Sequence, residues 1–238
     1  LLMTDKKYAR RLVLDATLNT RDLGGYMTKN GEITNFGVIL RSDVPACLSK
    51  KDEKILDPYH IKTAIDLRGK THFNEEQNIL STIKEINFYN IPMLGGFKEL
   101  EKININHNVN SYETLAELHE EALYEIFSII ANHNEGATFI NCKAGKDRTG
   151  IISALLLLLC DVPEEDVISD YEISYTLNKK KFEFDEKNPR TSYYLSPPKN
   201  MEDFIKYIDE EKGGAAQFLQ SLGLEKKEIL NIKRRLLN

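Results

Sequence analysis

Apolar and polar positions alternate in short runs separated by Gly, Asn and Pro punctuation, and the runs differ in period. Thr138–Asn141 is a brief apolar run, followed by a loop holding Gly145 and then by a long apolar segment over 151–160 that is too helix-prone to be a second strand. The pattern predicts strand, tight loop and buried helix. Residues 38–40 predict a strand ending at Arg41, residues 63–67 a buried parallel strand with Asp66 and Arg68 near its C-terminal end, and residues 87–91 another strand. An edge strand is predicted around 11–14, and Asn30-Gly31 signals a hairpin. Helices are predicted over 49–56, with Ser49 as N-cap and Pro58 as stop, over 75–79, and over 112–131, where Leu115, Leu118, Ala122, Ile126, Ile129 and Ile130 share one face. A further helix over 164–177 follows the turn at Asp161 to Pro163, and three short helical patterns cover 201–209, 215–222 and 224–237. Residues 92–109 and 191–200 read as loops, the first Gly- and Asn-rich in the manner of a lid or specificity surface.

Strands interleaved with helices predict an α/β fold, with a mostly parallel central sheet flanked by helices and a helical C-terminal cap. One domain is expected over 1–238, with a catalytic core at about 19–177 and a helical extension at about 198–238. Composition narrows the function classes. A net charge of −5 argues against a nucleic-acid partner, which calls for a basic balance or stripe. Cys47, Cys142 and Cys160 have neither paired nor metal spacing, so no disulfide framework, metal site or cofactor is expected, and His119 and His133 read as surface histidines. The first residues lack the apolar core of a signal peptide, Met3 after Leu1 and Leu2 is the expected natural start, and the run over 151–160 falls short of the ~20 residues that span a bilayer. These features predict a soluble, cytoplasmic protein, with export lacking a recognisable signal left open; oligomeric state is not legible.

The loop after Thr138–Asn141 carries the chemistry. Cys142 is followed, after five residues, by Arg148, then by Thr149 and Gly150 at the start of the apolar helix. A short loop running into a helix N-terminus turns several N–H groups toward one centre, where the helix dipole adds positive field. A cysteine at the floor of that centre is stabilised as thiolate and becomes a candidate nucleophile. Arg148 offers a planar fork for two phosphoryl oxygens, and Gly145 supplies a positive φ and close approach. Thr149 is placed to donate its hydroxyl to the cysteine sulfur, easing its departure.

Cys-x5-Arg-Thr in CKAGKDRTG resembles the signature of the cysteine-dependent protein tyrosine phosphatase superfamily, in its bacterial atypical branch of tyrosine/phosphoinositide phosphatases. NTRDLGGY at 19–26, LRSD at 40–43, IDLR at 65–68 and DYEIS at 170–174 resemble blocks of that branch in the same order. The resemblance implies a protein tyrosine phosphatase-like fold and hydrolysis through a phosphocysteine. It implies a phosphate-binding loop of Lys143, Ala144, Gly145, Lys146, Asp147 and Arg148, acting on phosphorylated protein or on a phosphoinositide or inositol phosphate. One position departs: the branch carries His before the cysteine, and Asn141 stands here, which predicts a less stabilised thiolate and activity that is lowered or shifted in pH.

The leaving group needs an acid, worth ~10²–10⁴ in rate. No Asp lies between Asp66 and Asp147, which leaves Asp147, Asp66, or Glu99 and Glu101 of the long loop. Asp147 is preferred because the resembled branch carries Asp there; its competing reading is a brace for the loop amides, and Asp66 is second. Lys143 and Lys146 either point to solvent or bind further phosphates of a polyanionic substrate. Arg21 and Asp22 read as a structural pair bracing their loop. The rival outside enzymology is a phospho-ligand binding module with weak turnover; a P-loop nucleotide hydrolase fails on spacing.

Overall fold

The structure, a computed structural model, describes residues 8–93, 112–133, 135–181 and 195–237. Five strands, β1 (Arg21–Asp22), β2 (Ile39–Ser42), β3 (Thr63–Asp66), β4 (Asn87–Asn90) and β5 (Thr138–Asn141), form one sheet in the order β1-β2-β5-β3-β4. Only β1 runs antiparallel to its neighbour, so four strands end on the same edge.

Register assigns a task to each row of side chains, because successive residues of a strand face opposite sides. Leu40, Phe139, Ala64 and Phe88 align in one row and meet a core that includes Leu12, Leu14, Leu56, Tyr59 and Leu80. Arg41, Ile140, Ile65 and Tyr89 align in the next, on the side of a larger core built by the helices. The last row before the strands end is polar throughout: Ser42, Asn141, Asp66 and Asn90. The sheet therefore ends in an all-polar row at the edge where the chain turns toward the cysteine loop.

The central helix, Asp147–Leu159, is buried on nearly every side, which explains its lack of polar stripe. It packs on β2 and on the helices Tyr112–Glu117, Glu164–Asn178 and Ala215–Ser221. The cap, Pro198–Lys206 with its continuation Tyr207–Glu211, Ala215–Ser221 and Lys226–Leu237, shares this core through Met201, Phe204, Ile208, Phe218 and Ile232. Cys160 lies in the same core, where burial foremost pushes its thiol up to about 12.

Several predicted elements need correction. Arg11 makes a single bridge to Arg21 instead of starting an edge strand. The helix expected at 75–79 lies earlier, at Lys70–Glu75, and a separate 3₁₀ turn follows at Ile79–Thr82 because the Asn78 side chain accepts the Leu80 N–H. The helix capped by Ser49 ends at Leu56, before Pro58 as expected, but the chain does not leave helical geometry there: Pro58 sits early in a 3₁₀ turn, where a missing N–H is harmless, and left-handed His60 ends the run. The long helix expected over 112–131 breaks at the non-helical His119 into Tyr112–Glu117 and Glu120–Asn132, leaving Leu118 exposed. Most of the loop expected over 92–109, with Glu99 and Glu101, lies outside the described residues.

Because Phe139 is a fully buried member of the smaller core, Phe139→Ala is expected to cost about 3–5 kcal/mol in urea unfolding. Val13→Ala, at an exposed position, should change stability by less than about 0.5 kcal/mol. A loss below about 1 kcal/mol at Phe139 would contradict this packing.

Candidate active site

Cys142 is the first residue past β5 and is 2% exposed. The backbone from there to the helix is held from outside by its carbonyls. The Ala144 carbonyl accepts from Asn19 Nδ2 and Asn178 Nδ2, both at 2.9 Å. The Gly145 carbonyl accepts from Asn19 Nδ2 at 2.9 Å and Arg41 Nη2 at 2.8 Å. A planar trans peptide directs its N–H opposite to its C=O. The N–H groups of Gly145 and Lys146 therefore point away from these donors. Gly145 has φ of 64°, and a Cβ there would lie 2.4 Å from the Ser42 carbonyl carbon, so only glycine lets the loop approach β2 this closely. The helix that follows has no side-chain cap at Lys146. Its first N–H groups add their partial positive charge at the same place.

The donors are themselves fixed by one carboxylate. Asp170, on the helix Glu164–Asn178, is buried and pairs with Arg21 Nε at 2.8 Å and with Arg41 Nη1, while the Tyr26 hydroxyl donates to it at 3.0 Å. Arg21 Nη1 also donates to Asn19 Oδ1 at 2.6 Å, which orients the Asn19 amide with Nδ2 on the loop. Burial alone would raise the Asp170 carboxyl, but the two guanidinium groups outweigh it and bring it down to about 2. Burial, followed by the charge of Arg41, lowers Arg21 to about 10, still cationic at neutral pH. Arg21 is thus a brace, as the sequence suggests, but its partner is Asp170. Asp22 instead accepts from the N–H groups of Gly24 and Gly37, and burial pushes its carboxyl up to about 7.

Arg148 donates through Nη1 to the carbonyls of Leu67 and Met93, each at 3.2 Å. Both bonds use one nitrogen, so among the described residues Nε and Nη2 keep the fork available. Asp147 is half-exposed, and Oδ1 accepts from the Tyr112 hydroxyl at 2.6 Å. Asp66 stands at the end of β3 as expected, yet it is fully buried and its oxygens are taken by Arg68 and by Asn78 Nδ2. Asn78 Nδ2 reaches Asn141 Oδ1 as well, at 2.9 Å. Lys143 is exposed, whereas Lys146 is buried and gives Nζ to the Leu195 carbonyl at 2.6 Å. The Thr149 hydroxyl, expected on the cysteine sulfur, is buried with no hydrogen-bond partner among the described residues. The His133 imidazole, expected at the surface, bonds Tyr89 and the Ile129 carbonyl. Among the described residues no cluster of His, Cys, Asp or Glu could hold a metal ion, and no helix is long and apolar enough to cross a membrane.

A family model described as the tyrosine phosphatase family matches residues 12–238. The chain belongs to the tyrosine phosphatase family. A tyrosine-protein phosphatase of Nostoc commune is 27% identical to it over 79% of this chain and 70% of that protein. A putative tyrosine-protein phosphatase of Cupriavidus necator is 24% identical over 67% of this chain, and the chain spans 61% of that relative's length. The catalytic core of Siw14, a solved structure, shares 15% identity with a TM-score of 0.42, covering 82% of this chain and 92% of that one.

Within this phosphatase the Asp170 network has a defined pH signature. Asp170 is folded at about 2 against an unfolded value near ~3.9, so its contribution is present above ~pH 4 and lost as pH falls toward 2. Asp170→Asn should destabilise the protein by about 3–5 kcal/mol at neutral pH and flatten the loss of stability between pH 4 and 2. An unchanged melting temperature with an unchanged acid limb would contradict the assignment.

Proposed function

We propose that this tyrosine phosphatase hydrolyses phosphomonoesters through a phosphocysteine at Cys142. The anchored carbonyls of Ala144 and Gly145 carry the reading, because they leave the opposite amides for the phosphoryl oxygens. Cys142 thiolate attacks phosphorus in line; the S–P bond forms as the P–O bond to the leaving group breaks. Arg148 and the loop amides hold the equatorial oxygens, and Asp147 gives its proton to the departing oxygen. Water then attacks the phosphocysteine, Asp147 takes back the proton, and the S–P bond breaks to release phosphate.

Asp147 is the acid in this account because Asp66 is wholly buried and committed to Arg68 and Asn78. The Thr149 hydroxyl, without a partner among the described residues, is the donor that eases thiolate departure in the second step. Phosphotyrosine protein is the favoured substrate. Lys146 is engaged by Leu195, so Lys143 alone of the two loop lysines extends from the loop toward further phosphates of an inositol phosphate or phosphoinositide.

A panel of phosphotyrosine peptide, phosphoserine peptide, phosphatidylinositol phosphates and phytate tests the reading beside Cys142→Ser. The wild type should release phosphate fastest from phosphotyrosine peptide, insensitive to chelator, and Cys142→Ser should fall below about 10⁻³ of that rate. Asp147→Asn should slow phenyl phosphate by about 10²–10⁴ and p-nitrophenyl phosphate far less. Tight vanadate binding without turnover would favour a phospho-ligand binding module instead, a reading that Asn141, in place of the expected His, keeps in play.

A further inference from the structure

The carboxylate of Asp147 is held at Oδ1. Its partners among the described residues, the Tyr112 hydroxyl at 2.6 Å and Lys146 Nζ at 3.4 Å, both fall on Oδ1. Tyr112 is 5% exposed and begins the helix Tyr112–Glu117, with its ring edge-on to both Tyr171 and Phe204. Its oxygen lies 2.7 Å from the Tyr171 hydroxyl, which Asn200 Nδ2 approaches at 3.5 Å. A phenol has one proton. With that proton on the Asp147 carboxylate, the hydroxyl of Tyr171 donates to the Tyr112 oxygen, and Asn200 donates to Tyr171.

We propose that Tyr112 is a positioning residue for the reaction, holding Oδ1 of Asp147 so that the transferred proton rides on Oδ2. The proposal rests on the reading of Asp147 as the acid and names what aims it. The Tyr112 hydrogen bond, with the Lys146 ammonium beside it, makes Oδ1 a poor site for the acidic proton and fixes the rotation of the carboxyl group. Oδ2 is left to meet the leaving oxygen. Burial foremost, then the neighbouring Asp147 and Tyr171, holds the Tyr112 phenol well above its ordinary range, so it stays a donor wherever the enzyme works. Tyr171, raised by burial to about 12, stays protonated as well. The chain Asn200–Tyr171–Tyr112–Asp147 thereby connects the C-terminal cap to the acid. It links Asn200, on the cap helix Pro198–Lys206, to the acid.

The test is a double-mutant cycle of Tyr112→Phe and Asp147→Asn on phenyl phosphate, a poor leaving group, and p-nitrophenyl phosphate, a good one. Tyr112→Phe keeps the ring packing and should lower kcat on phenyl phosphate about tenfold and on p-nitrophenyl phosphate less than about threefold, with KM unchanged. In the Asp147→Asn background it should add no leaving-group-dependent loss. Tyr171→Phe, one bond further away, should show the same slope at about threefold on phenyl phosphate. Equal losses on both esters from Tyr112→Phe, or the same loss in both backgrounds, would overturn the proposal while a steep Asp147→Asn effect left the acid in place. A flat Asp147→Asn effect would remove the acid assignment and Tyr112 with it.

Discussion

One buried carboxylate, Asp170, lies between two buried guanidinium groups, and the shape of the cysteine loop follows from that meeting. Removing three charges from water is expensive, and a buried ion pair seldom stabilises a fold more than apolar packing would. What the arrangement secures is direction. Arg41 must face Asp170 with one nitrogen, so its other nitrogen faces the Gly145 carbonyl; Arg21 must do the same, so Asn19 turns its amide to the loop. Each loop carbonyl that is pinned outward commits an N–H to the inside. The peptide plane transmits the constraint without further side chains.

The sheet edge supports this from the other side. Ser42, Asn141, Asp66 and Asn90 form a polar row where four parallel strands end, and their bonds to Thr20, Asn78, Arg68 and the backbone make that edge a fixed platform. Asn141 belongs to this platform: Asn78 holds its oxygen, while its Nδ2 is buried and unpartnered among the described residues. An amide here can order the strand end but brings no charge to the cysteine. Arg148 is aimed by the same edge, since Leu67 and Met93, one step past the polar row of β3 and near that of β4, accept from it.

Much of this was legible in the chain before its fold. The strand-loop-helix around Cys142, the parallel strands and the helical cap follow from runs whose period is unambiguous, and Cys142 at the loop's start and Asp147 and Arg148 at the helix start come together because only a few residues separate them. The ion network was not legible in the same way. Asp170 lies 149 residues from Arg21, and no local pattern says which of many carboxylates a buried arginine selects. DYEIS marked the block, and a lone acid on the inner side of a helix with Tyr171 and Ser174 was the available signal. Arg21 was paired with Asp22 because neighbours in sequence are easy partners, yet alternation in a strand sends them to opposite sides. Helix ends were missed for local reasons of another kind: His119, Asn78 and His60 set boundaries through backbone geometry and side-chain bonds that apolar periodicity does not record.

The most direct measurement is a crystal structure of the protein with orthovanadate. Vanadium should be bonded to Cys142 Sγ, with equatorial oxygens within hydrogen-bond reach of the Gly145 and Lys146 N–H groups and of the Arg148 fork, while Asn19 and Arg41 still hold the loop carbonyls from behind. Vanadate seated elsewhere, or those amides facing away from it with the carbonyls turned inward, would contradict the account.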